Sequence, residues 1–188
     1  NIGIGCYSLF SNTSANDNIA MGFRALCKNV TGPANTALGS YALCKNTYGC
    51  YNTAVGCGAM INNTTGYCNE AVGRNALQAN TTGYSNVAVG NGALYSNTEG
   101  VCNVAVGARA LLSNTTGCFN TGLGVAALTT TTTAHYNTGV GYAALVSNSS
   151  GNNNTALGFY TGYFNTTGNN NTSLGSTAGH KTDTGSNN

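Results

Sequence analysis

One motif recurs every 17 residues along the whole 188-residue chain, with no insertion and no deletion. Asn opens each unit, at Asn1, Asn18, Asn35, Asn52, Asn69, Asn86, Asn103, Asn120, Asn137, Asn154 and Asn171, and a Gly follows four residues on, from Gly5 to Gly175. Eleven such units leave one residue over. The consensus is Asn-Thr-Ala-Val/Leu-Gly-x-x-Ala-Leu-x-x-Asn-Thr-Thr-Gly-x-x, numbered here as slots 1 to 17. A short fixed period of this kind signals a solenoid, in which every unit is one coil stacked on the next.

The chemistry of the slots selects the kind of coil. Slot 4 is aliphatic throughout, from Ile4 to Leu174, and slot 9 is Leu or Met from Leu9 to Leu145; these two are expected to be the core rows. Slots 2 and 4 flank a slot 3 that is nearly always Ala or Gly, the period-2 pattern of a short strand. Gly at slot 5, and Gly or Ala at slot 15, mark corners. Seventeen residues with two such breaks cannot hold two useful helices. The expected fold is all-β: a parallel β-solenoid of eleven 17-residue coils forming one domain over residues 1–188. That domain is read either as a segment of a longer array or as one protomer of a fibre. A lone coil buries too few aliphatic side chains to offset the entropy of ordering it, so stability must accumulate through coil-to-coil interfaces. With strands ~4.8 Å apart, eleven coils make a rod roughly 50 Å long.

Composition narrows the function. Charged residues are 5% of the chain, Trp is absent and the net charge is +2. Six scattered basic residues form no stripe, so no nucleic-acid partner is expected. No run approaches the ~20 apolar residues of a membrane span, and the N-terminus lacks the pattern of a signal peptide. The acids Asp17, Glu70, Glu99 and Asp183 fall in separate coils, so they form no carboxylate pair, and no nucleophile, base and orienter converge. The glycine pairs Gly3, Gly5 and Gly139, Gly141 sit on structural corners and read as turns. A calcium solenoid needs an Asp ladder that is not present. The chain is therefore expected to be no enzyme and to carry no cofactor and no metal.

Asn at slots 1 and 12 supports two readings. Stacked Asn side chains can form amide ladders, which accounts for slot 1. At slot 12, Asn12, Asn29, Asn63, Asn80, Asn114, Asn148 and Asn165 each begin an Asn-x-Ser/Thr sequon, so these seven are candidate N-glycosylation sites along one edge. Further sequons start at Asn62, Asn153, Asn170 and Asn171. The Thr129 to Thr133 run is open to O-glycosylation or to a threonine ladder.

The eight cysteines acquire partners once coils are stacked. Cys27 and Cys44 share slot 10 in adjacent coils, and Cys50 with Cys68, like Cys102 with Cys118, occupy slots 16 and 17 of neighbours. One strand spacing plus at most one residue step fits disulfide reach, so three bonds are expected: Cys27–Cys44, Cys50–Cys68 and Cys102–Cys118. Cys6 and Cys57 share slot 6 three coils apart and remain unpaired or available between subunits. Neither His135 nor His180 sits near a metal-type cysteine cluster. Disulfides would imply an oxidising, extracellular destination.

The runs Asn35 to Gly39 (Asn-Thr-Ala-Leu-Gly), Asn52 to Gly56 (Asn-Thr-Ala-Val-Gly) and Asn86 to Gly90 (Asn-Val-Ala-Val-Gly) resemble the repeats of YadA-like trimeric autotransporter adhesin heads and of viral tail fibres. The resemblance runs the length of the chain. It implies a parallel β-roll at a cell or virion surface, with slots 2 and 4 pointing inward, a small slot 3 allowing close approach of a neighbour, and a trimer as the assembly. The longer unit, the cysteines and the lack of a coiled-coil stalk depart from that family.

Three functions are compatible with these features. An extracellular structural fibre would form by head-to-tail stacking, because Asn1-Ile2-Gly3-Ile4-Gly5 begins in register while the last coil, with Gly162 and Gly179 at slot 9 and His180-Lys181-Thr182-Asp183 beyond, is more polar. An adhesin would present the variable slots 6, 7, 10, 16 and 17, which hold Tyr7, Tyr41, Tyr51, Tyr67, Tyr84, Tyr95, Tyr136, Tyr142, Tyr160 and Tyr163, to a glycan or protein ligand. An ice-binding rod would use the Thr rows of slots 13 and 14, which Tyr48, Glu99 and Asp183 interrupt. The fibre is the preferred expectation.

Overall fold

A computed structural model describes residues 1–180 and 184–187. Eleven three-residue strands stack in sequence order into one parallel sheet, β1 (Ile2–Ile4), β2 (Ile19–Met21), β3 (Thr36–Leu38), β4 (Thr53–Val55), β5 (Glu70–Val72), β6 (Val87–Val89), β7 (Val104–Val106), β8 (Thr121–Leu123), β9 (Thr138–Val140), β10 (Thr155–Leu157) and β11 (Thr172–Leu174). Each residue pairs with the one 17 positions on, such as Val55 with Val72 and Ala54 with Ala71. The remainder of each coil is turns, and the described residues contain no helix. The all-β solenoid expected from the period is what the chain forms.

The strand faces the other way from the expectation. Slot 3 is the inward residue: Ala20, Ala37, Ala54, Ala71, Ala88, Ala105 and Ala156 are completely buried. Slots 2 and 4 point outward, leaving Val72 40%, Val89 37% and Leu123 43% exposed. The reason is room. A Cβ placed on Gly139 at slot 3 lies 3.2 Å from Leu128 Cγ, so the bore holds Ala or Gly there in coils 1 to 10, and the larger Ser173 occurs only in the last coil, where it is half-buried. Slot 4 is thus corrected from core row to outer ladder, while slot 9 is core as expected, with Leu26, Leu43, Met60, Leu77, Leu94, Leu111 and Leu128 fully buried.

Slot 9 explains its own residue choice. Its backbone lies in the left-handed region, with φ of 50° at Met60, Leu77 and Leu94, where β-branched side chains are strongly disfavoured. Leu and Met occur there; Val and Ile do not. At slot 5 the turn is tighter. Gly56 has φ 135°, and a Cβ would stand 2.5 Å from the Gly73 carbonyl oxygen of the next coil, so backbone approaches backbone with no room for a side chain.

Two rows of amides share the interior with the aliphatic residues. At slot 1, Asn35 Oδ1 accepts the Asn52 backbone N–H at 3.0 Å, and Asn52 Nδ2 donates to Gly66 O of its own coil at 2.8 Å. The first bond joins coils and the second closes one. At slot 12, Asn63 Nδ2 donates to Asn46 Oδ1 at 2.7 Å and to Gly66 O at 3.0 Å. The slot-15 carbonyl therefore receives one amide from each row. Because buried polar groups are costly unless paired, these ladders allow a bore this narrow to hold Asn at all. They also enforce register, since a one-residue slip would unpair every rung.

Candidate functional site

With the interior filled, chemistry with other molecules is left to the outside of the rod. The slot-12 asparagines do not contribute. Asn29, Asn63, Asn80, Asn114 and Asn148 are fully buried, Asn165 nearly so, and Asn12 is partly buried. Their Nδ2 atoms, the ones a glycan would bond, donate instead to carbonyls inside the coil, as Asn80 Nδ2 does to Gly83 O at 3.0 Å and Asn12 Nδ2 to Ala15 O at 3.1 Å. The expectation of N-glycosylation at slot 12 is corrected on that ground: the folded coil has no space for a sugar there. The Thr129 to Thr133 run is largely a ladder. Thr129, Thr130, Thr131 and Thr132 donate their hydroxyls to the carbonyls of Ala126, Val146, Asn148 and Ser149, and Thr133 is exposed. Slot-13 threonines behave alike, with Thr64 Oγ1 on Thr81 O at 3.0 Å, so that row is not a free hydroxyl array.

All eight cysteines are thiols in the structure, and none of the three expected disulfides is formed in it. Stacking does bring the first two pairs together. Burial pushes the Cys44 thiol above its ordinary range and the nearby Cys27 adds to this; burial and then Cys68 do the same for Cys50. The third pair differs because Cys118 Sγ is engaged elsewhere, accepting from Val101 N–H at 3.4 Å and donating to Thr116 O at 3.2 Å. Cys6 and Cys57 are exposed thiols at slot 6.

Slot 16 holds a feature that the sequence reading missed. In the C-terminal half each slot-16 backbone N–H donates to the slot-16 side chain of the next coil: Cys118 N to His135 Nδ1 at 3.0 Å, His135 N to Asn152 Oδ1 at 2.7 Å, and Asn152 N to Asn169 Oδ1 at 2.7 Å. A row of acceptor side chains, Cys118, His135, Asn152, Asn169 and Ser186, was the available signal. His135 is thereby occupied as a rung.

The edge built from slots 6, 7, 10 and 11 is the most varied. In coils 1 to 3, Tyr7, Phe10, Phe23 and Tyr41 meet edge to face at 5.3–6.4 Å, and the Arg24 guanidinium lies over Tyr7 and Phe23 at 5.6 and 5.3 Å. In coils 9 to 11 a second group joins Tyr142, Phe159, Tyr160, Tyr163, Phe164 and His180, with neighbouring rings 4.4–5.6 Å apart. A hydrogen bond with Tyr142 pushes the Tyr160 hydroxyl above its usual range. Between the two clusters the edge opens into a groove of about 360 Å³ around Gly92. Other expected ligand-facing tyrosines stack in pairs on the slot 16 and 17 side: Tyr67 on Tyr84 at 4.8 Å and Tyr136 on Phe119 at 5.2 Å.

The acids Asp17, Glu70 and Glu99 lie exposed in separate coils, and Lys181, Thr182 and Asp183 fall outside the described residues. Compared with protein-family models, with curated proteins and with solved structures, the chain matches none of them.

Proposed function

We propose that this chain is a structural building element: a β-solenoid that assembles with copies of itself into a fibre at a cell or virion surface. The observation that carries the reading is the uniformity of the coil-to-coil interface. From coil to coil the same carbonyls recur, with an Asn rung interrupted at Thr131 and a slot-9 Leu or Met that runs from Leu9 to Leu145 before giving way to Gly162 and Gly179, so the upper face of most coils fits the lower face of most others. Stacking between chains repeats the bonds already made within one, and a head-to-tail contact of that kind propagates. The outward slot-4 ladder adds a lateral route. Eleven aliphatic side chains, from Ile4 to Leu174, form a continuous apolar stripe, and stripes of this extent are interaction surfaces on soluble proteins. The trimer implied by the adhesin-head resemblance would bury it.

Extracellular placement rests on that same resemblance to adhesin heads and tail fibres. Electron imaging of the purified chain, combined with sedimentation across a concentration series, tests the reading. Filaments or concentration-dependent bundles are expected. Monodisperse single rods at every concentration would overturn it.

A further inference from the structure

The lateral edge formed by slots 6, 7, 10 and 11 is closed by aromatic side chains near both ends and open in the middle. Slot 7 decides this. It carries Tyr7, Arg24 and Tyr41 in coils 1 to 3 and Tyr160 in coil 10, but in coils 5 to 7 it reads Asn75, Gly92, Arg109. The missing side chain at Gly92 leaves the groove between its two neighbours. A Cβ there would meet only Leu112 Cδ1, at 3.5 Å, so the space is vacant rather than filled from below.

Its lining has three kinds of group. Tyr95 and Leu112, both at slot 10, make an apolar wall. The amides of Asn75 and Asn91 and the hydroxyls of Ser96 and Ser113 surround it. Arg109 stands at the lip, exposed, and neither Glu70 at slot 2 nor Glu99 at slot 14 shares its edge. Arg24 occupies the same slot and is held between two aromatic rings; Arg109 has no ring contact of that kind.

We infer that this groove binds a carboxylate-bearing monosaccharide of the hexuronic acid class. A planar guanidinium with no acid on its edge among the described residues matches a carboxylate through two parallel charge-assisted bonds. The Tyr95 ring and Leu112 suit the C–H face of a pyranose. Amides and hydroxyls, which both donate and accept, suit its hydroxyls. At about 360 Å³ the groove lies at the small end of ligand sites, where a single sugar fits and a larger ligand would protrude. The contact is lateral, so it leaves the coil-stacking faces free and does not depend on fibre formation.

The test is an NMR titration of the intact chain with methyl glucuronide, using methyl glucoside and acetate as comparison ligands. Methyl glucuronide is expected to shift resonances of Tyr95 and Arg109 saturably, with the neutral glucoside and acetate each at least about tenfold weaker. Arg109→Gln and Gly92→Tyr should each weaken glucuronide binding by about tenfold or more. The tyrosine is tolerable at that backbone conformation because Tyr41 and Tyr160 already occupy slot 7 at φ 61° and 51°. Arg24→Gln should leave binding unchanged, and far-UV circular dichroism verifies that each variant keeps the fold. Absence of any shift at tens of millimolar ligand would overturn the assignment. So would equal binding by the glucoside, equal binding by acetate, or undiminished binding in Arg109→Gln.

Discussion

Coils 5 and 7 are the same on the inside and different on the outside. Asn69, Ala71, Ala76, Leu77 and Asn80 recur as Asn103, Ala105, Ala110, Leu111 and Asn114, all buried. Outside, Arg74-Asn75, Gln78-Ala79 and Tyr84-Ser85 in one become Ala108-Arg109, Leu112-Ser113 and Cys118-Phe119 in the other. An inward residue touches its counterpart above and below, so a change there must be matched in two neighbouring coils at once. An outward residue meets solvent on one side and escapes that constraint. Repetition is therefore a packing requirement inside the rod, and the variable outer edge is where one coil can acquire chemistry that the others lack.

Leu77→Ala should break the inner row most severely, costing about 2–5 kcal/mol as a cavity opens in a bore too narrow to collapse. Chemical denaturation of the variant beside Val72→Ala, an outer-ladder control expected to cost well under half as much, measures the contrast. If the two costs are equal, the inside–outside distinction fails.

Asn80→Ala attacks the ladder. It removes a donor from Gly83 O and an acceptor from Asn97 Nδ2, for an expected loss of about 1–3 kcal/mol. The same row offers the opposite experiment. Asn114 Oδ1 is buried with no hydrogen-bond partner, because the residue above it is Thr131 in place of Asn. Thr131→Asn supplies the missing donor and should raise the denaturation midpoint, by about 1 kcal/mol in stability. A drop in midpoint would mean that the Thr131 to Asn148 bond outweighs the repaired rung.

The smallest effect concerns the thiols. Buried Cys44 should alkylate more slowly than exposed Cys57 in the folded chain, as site-resolved mass spectrometry can read. Its raised thiol pKa means that the folded state holds the proton more tightly than the unfolded state. Cys44 therefore contributes stability that is intact below the ordinary thiol range, about pH 8.5, and is lost as pH climbs through its higher folded value. Thiol titration in denaturant under non-reducing conditions should count eight. Six or fewer would place bonds between the adjacent cysteines.

Much of this architecture was readable beforehand. The period announced a solenoid, the slot-2 to slot-4 alternation announced a strand, and Leu or Met at slot 9 announced a core row, because each depends on spacing along the chain alone. The candidate sites were less legible. Asn80 and Asn153 both begin sequons, yet the first is a buried rung and the second lies exposed at slot 17. Nothing in a tripeptide states its depth. The groove was equally hidden, since it depends on Gly92 lying between Asn75 and Arg109 in the stack, 17 residues from each.

The amino-acid sequence by itself determined the coil length, the parallel stacking, the in-register pairing and the slot-1 amide ladder. These follow from identity between residues 17 apart, which leaves one register in which like meets like. Only the tertiary structure decided which face of the strand turns inward. Alternation distinguishes two faces without ranking them, and hydrophobicity alone favours burying Val72 over Ala71. Volume reverses that preference: once Leu77 and the two Asn rows occupy the bore, slot 3 has space for a methyl group and no more, and the aliphatic ladder is left on the surface.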